Sequence, residues 1–149
     1  MRDYAGFWIR VVANFLDALV IAIPAMILDY MAYQIAGPSN VSYLDYLSDP
    51  TVPFWSTYNT VGFILGTILG VLYYGIMTSK YKATVGKMIV GIQVINENDE
   101  AISFARATGR YFAYTLSGLI LYIGYIMVAF SSKKQGLHDK ICKTYVVHK

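Results

Sequence analysis

Three polar residues sit inside the first long apolar stretch of the chain. Arg10, Asn14 and Asp17 interrupt FWIRVVANFLDALVIAIPAMIL, residues 7–28. Steps of four and three residues place them on one helix face, because each residue turns the chain by about 100°. The rest of that helix is apolar, so the pattern is a thin polar stripe and not the broad polar face of a soluble amphipathic helix. An ionisable side chain at mid-bilayer costs roughly 2.5–3.5 kcal/mol, and such groups face a protein interior or a wet cavity. A buried carboxylate poised between a proton and a cation is what proton-coupled cation exchange requires. Asp17 is therefore the candidate coupling residue, with Asn14 as its nearest helper. Hydroxyls of Thr67, Thr115 or Ser117 are further candidates to reach it. The structural alternative is that Asp17 is hydrogen-bonded and only fixes helix register.

Arg10 has other options. Seven residues at about 1.5 Å rise separate it from Asp17 by roughly 10 Å along the axis, too far for a direct bond. Its side chain leans toward the helix start, where it can meet lipid phosphates or a carboxylate from another segment. Asp139, near the end of the chain, is the candidate partner, and the two would form a charge clamp. The histidines suggest little: His138 has no second ligand cluster beside it and His148 is nearly terminal, so no metal site is expected. No Ser–His–Asp or Cys–His arrangement has credible context, and no enzyme is expected.

The elements that must position these residues follow from composition. The chain has 149 residues, 56% hydrophobic and only 14% charged. Soluble domains carry about a quarter charged residues, so one integral membrane domain is expected. We read a helix over about 7–31, an outer loop over 32–53, a helix over 54–78, a cytoplasmic loop over 79–110, an apolar segment over 111–131 and a tail over 132–149. Arg10 and Asp17 spoil the apolar core of a cleavable signal peptide, so the first helix is expected to stay. The outer loop holds Asp45 and Asp49 but no Lys or Arg, whereas the 79–110 loop and the tail are basic. That asymmetry places both termini in the cytoplasm of a multi-pass cell-membrane protein.

Within the loop, 84–91 could lie as a helix on the membrane surface, and 43–47 in the outer loop as another. Residues 92–95 read as a strand, 96–100 as a turn and 101–104 as a returning strand. The third apolar segment is long enough for a single span, but a span would carry the basic tail outside. A helical hairpin broken near Ser117 and Gly118 keeps the tail inside and is favoured. Gly62, Gly66 and Gly70 form a ridge of small residues suited to close helix packing, against the first helix or as a dimer seam.

Other classes are excluded. Gly86-Lys87 lacks the Ser/Thr and upstream glycine of a phosphate loop. Cys142 stands alone, which rules out an internal disulfide or a CxxC site. No basic groove with interleaved aromatics points to nucleic acid. No cofactor is implied.

Taken together, these segments resemble the RDD family of small membrane proteins, named for one arginine and two aspartates. Arg10 and Asp17 in GFWIRVVANFLDALV would supply the first pair, and Asp139 in KKQGLHDKICKTYVV the second aspartate. Between them, ATVGKMIVGIQVINENDEAISFARATGRY is similar to the family's central G-x-T-P-G-K-x-x-x-G segment and its following strand. Lys82 and Val85 stand where the family often has glycine and proline, and Cys142-Lys143 replaces a small pair. The resemblance implies membrane transport, with cation–proton exchange proposed for some members.

The expected fold is thus an all-α membrane protein with two full transmembrane helices, a third apolar segment and a small cytoplasmic β-hairpin. Transport or cation/proton exchange through Asp17 is the expected function, with a monovalent cation or proton as ligand. The alternative is an accessory or regulatory subunit binding another membrane protein, its Arg and Asp residues structural. A homo-oligomer or a membrane-protein partner is expected in either case.

Overall fold

The computed structural model describes residues 2–53, 56–119 and 123–149, with side chains described outside 116–126. The fold is mostly helical. Helix α1 spans Phe7–Ala36, α2 Tyr43–Ser48, α3 Thr57–Tyr81 and α4 Val85–Ile89. Strand β1 follows at Ile92–Ile95, then α5 at Phe104–Leu119, α6 at Ile123–Phe130, α7 at Leu137–Ile141 and strand β2 at Tyr145–His148. Two helices, α1 and the one beginning at Thr57, are long and apolar enough to cross a membrane.

Helix α1 runs past residue 31 and through Pro24 to Ala36. Its stop signals come only at Gly37 and Pro38, where the last turn closes with Gly37 N–H on the Tyr33 carbonyl at 2.7 Å. The polar stripe is its buried face. Arg10 is 7% exposed and Asp17 0%, while Trp8 and Phe15 are 77% and 63% exposed. Polar residues inside and large apolar ones outside is the reverse of a soluble helix, and it suits a lipid surround.

The chain forms two compact units, Met1–Val20 with Gly70–Lys149, and Ile21–Leu69. In the second unit, buried Ala32, Tyr33 and Tyr58 pack with Tyr43 and Tyr46 of α2. The Asp29 carboxylate accepts hydroxyl hydrogen bonds from Tyr43 at 2.5 Å and Tyr58 at 2.7 Å. Gly62 lies against this group, since a Cβ there would stand 3.7 Å from Asp29 Oδ1 and 3.9 Å from Ala32 Cβ. Gly66 faces open space and lines a groove of about 370 Å³ with Ala25, Met26, Leu28, Asp29 and Gly62.

In the first unit, β1 pairs antiparallel with β2, Ile92 opposite His148 and Ile95 opposite Tyr145. A small antiparallel sheet is present, but its second strand is 145–148 and not the expected 101–104. The reason is local. Ser103 Oγ accepts the Arg106 N–H at 3.3 Å, and the chain turns into α5 there. Tyr4 bridges to Val147, and Ala5 N–H reaches the Val146 carbonyl at 2.9 Å. Ala5, Ala13, Ile92, Val94, Ile102, Ala107 and Val146 make the core beneath. Gly70 packs here too, because a Cβ there would lie 2.6 Å from Tyr111 Cζ. Helix α5 stays helical past Ser117 and Gly118 to Leu119. The residues joining α5 to α6 lie outside the described ones, and with them the expected break.

Candidate functional site

The first unit encloses a buried group of charges. Its first half is built on α1 and α4. Asp17 Oδ1 accepts the Tyr73 hydroxyl at 2.8 Å and the Gly86 N–H at 2.7 Å. Its Oδ2 accepts the Thr84 hydroxyl at 2.5 Å and faces Lys87 Nζ at 3.4 Å. Two donors on each oxygen fill the four positions a carboxylate offers. The loop can come this close only because residue 86 is glycine: a Cβ there would lie 2.8 Å from Asp17 N and collide with the Ala13 carbonyl. Thr84, Gly86 and Lys87 all come from the central segment, and nothing in their spacing along the chain points to Asp17. Of the expected hydroxyls, that of Thr115 donates to the Tyr111 carbonyl at 3.3 Å, and the Ser117 side chain is outside the described residues. Asn14 turns away from Asp17 and donates to the Tyr114 hydroxyl.

The second half joins α1, α5 and α7. Arg10 Nη1 lies 2.5 Å from Asp139 Oδ2. Its Nη2 donates to the Lys134 carbonyl at 2.5 Å and its Nε to the Ala5 carbonyl at 3.1 Å. Arg110 Nη2 lies 2.5 Å from the other Asp139 oxygen. Arg110 reaches this place because Ala107, Arg110 and Ala113 recur at intervals of three on the buried face of α5. Asp139 also accepts the Gly136 N–H at 3.1 Å, which closes the first turn of α7. Burial pushes the Asp139 carboxyl up, but the guanidinium groups of Arg110 and Arg10 more than offset that and hold it below the ordinary carboxylate range. His138 stacks on Tyr114 with ring centroids 4.2 Å apart. Burial takes its imidazole down to about 3, so it is neutral near pH 7.

Two cavities border the network. One of about 210 Å³ is lined by Asn14, Tyr74, Lys87, Arg110 and Tyr114 among others. The other, about 430 Å³, shares Asn14, Lys87, Arg110 and Tyr114 and adds Arg10, His138 and the apolar Phe7, Val11 and Val128. Asp17 and Asp139 line neither. Among the described residues no group of three or more His, Cys, Asp or Glu could hold a metal ion.

Comparison with known proteins finds relatives along nearly the whole chain. The chain is 42% identical over 154 residues to the uncharacterized protein YxaI of Bacillus subtilis (strain 168), and the match covers 100% of both chains. It is 32% identical to the uncharacterized membrane protein YteJ of the same organism, covering 97% of this chain and 81% of that one. It is 29% identical to the uncharacterized protein YckC, covering 97% and 84%. No solved structure matches the chain. Residues 4–143 match the RDD family, a span that holds Arg10, Asp17 and Asp139 together with the central segment. The chain belongs to the RDD family and is a small membrane protein with a buried charged network.

Proposed function

We propose that this chain is an accessory or regulatory membrane protein, in which Arg10, Asp17 and Asp139 hold the fold together. One observation carries the reading: the four positions of the Asp17 carboxylate are taken by Tyr73, Thr84, Gly86 and Lys87, and Asp17 lines neither cavity. A coupling carboxylate needs open coordination and a path; this one is an anchor for α4. The apolar outer faces of α1 and α3 then meet lipid and a membrane-protein partner or a second copy. The pairing of β1 with β2 supports a tail on the same side as the central loop, since paired strands share one side of a bilayer. The basic loop and tail support the cytoplasm as that side.

Cation–proton exchange remains the second reading, and the long 3.4 Å Lys87–Asp17 contact favours it, because a cation could displace the ammonium. Asp17 and Asn14 would then be coupling residues. The test is cation-driven collapse of a preset pH gradient in proteoliposomes, with sodium and potassium. The accessory reading expects no collapse, and expects Asp17→Asn to lower the thermal midpoint. Collapse by the intact chain, abolished in an Asp17→Asn variant that still folds, would replace it with exchange.

A further inference from the structure

The buried network is not neutral. Its members are Arg10, Lys87 and Arg110 against Asp17 and Asp139, with His138 uncharged. Three cations facing two carboxylates leave one positive charge over. Burying a charge without a counter-charge is unfavourable, so an excess of this kind favours an anion close by. The excess sits where space is available. Asp139 is shared by two arginines, and Asp17 is turned away from the cavities, so the groups presented to both cavities are Lys87 and Arg110.

Both have donors to spare. Lys87 spends two of its three N–H groups on Asp17 at 3.4 Å and Thr84 at 3.0 Å. Arg110 directs Nη2 to Asp139 at 2.5 Å and Nη1 to the Thr144 hydroxyl at 3.3 Å, two of five N–H groups. An ammonium beside a guanidinium suits an anion with several oxygens at tetrahedral angles better than a halide. Beyond the cations, the wider cavity turns apolar at Phe7, Val11 and Val128. A charged wall with an apolar continuation matches a phosphate attached to a hydrocarbon.

We propose that the wall shared by the two cavities binds a phosphate-type oxyanion through Lys87 and Arg110, with Arg10 facing it from the wider cavity. The phosphate belongs to an anionic lipid headgroup or is free in solution, and the same donors serve either. This goes beyond the accessory reading and holds whether or not the chain moves an ion.

The experiment uses the full chain, delipidated in a neutral maltoside detergent. In one arm, thermal unfolding is followed against inorganic phosphate with sodium chloride at matched ionic strength. In the other, the chain is placed in phosphatidylcholine nanodiscs with and without phosphatidylglycerol. A saturable rise of the midpoint with phosphate identifies the free anion; a rise only with phosphatidylglycerol identifies the headgroup. Lys87→Gln is expected to weaken the apparent affinity at least tenfold. Should Lys87→Gln fail to fold, the double variant Val11→Phe, Thr115→Phe decides. Both residues are exposed cavity-lining positions, so it narrows the cavities and leaves every charge in place. It is expected to fold and to lose the response. No saturable effect in either arm overturns the proposal, as does a response unchanged in the double variant.

Discussion

Gly86 donates its backbone N–H to the Asp17 carboxylate at 2.7 Å, and no side chain larger than hydrogen fits at that position. The contact joins two residues 69 apart in sequence. It explains why a threonine, a glycine and a lysine cluster in the central segment: each of the three supplies a donor to the same carboxylate.

Gly86→Ala is expected to cost about 3 kcal/mol, because the new methyl group meets backbone atoms of α1 that cannot move aside. The measurement is thermal unfolding in detergent. A midpoint unchanged from the parent chain would mean that α4 is not seated on Asp17.

Asp139→Asn leaves Arg10 and Arg110 buried and facing each other without their shared anion. Loss of one partner in a buried ion pair typically costs about 3–5 kcal/mol. Arg110→Gln added to Asp139→Asn is expected to recover part of that loss, so the double-mutant cycle shows coupling of more than about 1 kcal/mol. Exchanging the charges of Arg10 and Asp139 is expected not to restore the fold, because Arg110 would then face a like charge. Full recovery by that exchange would show that Arg110 does not engage position 139.

Acid should weaken the first unit in two overlapping windows. His138 is held neutral by burial, its value lowered from 6.5 to about 3. The unfolded chain takes up that proton first, so stability falls as the pH drops from 6.5 toward 3. Asp139 lies below its ordinary 3.8, and its contribution, present above 3.8, is lost as the pH falls through its lower folded value. His138→Gln is expected to flatten the upper window of a midpoint-against-pH curve and leave the acid limb. An identical slope in that variant would show that His138 is charged in the fold.

Lys82 has a φ of +58°, in the left-handed region where glycine is at ease and other residues lose roughly 1–2 kcal/mol. Its carbonyl accepts the Val94 N–H at 2.5 Å, which ties this turn to β1. Lys82→Gly relieves the strain at the cost of a more flexible unfolded chain, for a net gain of about 0.5–1 kcal/mol. Calorimetry or thermal unfolding should register a higher midpoint. A lower one would mean that the exposed Lys82–Asp99 hydrogen bond outweighs the backbone strain.

What the amino-acid order determined alone was local and periodic. Length and apolarity define α1 and α3 because a bilayer rewards both directly, and intervals of three and four residues place Arg10 and Asp17 on one buried face. The Asn96–Glu100 turn was legible for the same reason, since its hydrogen bonds close within five residues. The tertiary structure decided the partners. Residues 145–148 are as short as 92–95 and have no turn linking them to a neighbouring strand, and they become one only against β1, some fifty residues earlier. Lys87 and Arg110 look in sequence like loop cations that orient the chain. Burial turns them into members of a charged core, because their carboxylates arrive from Asp17, 70 residues before Lys87, and from Asp139 in the tail. Charge and hydrophobicity are properties of a residue, but which carboxylate meets which cation is fixed only when helices and tail pack, since a buried ion is tolerated only where its counter-charge is brought to it.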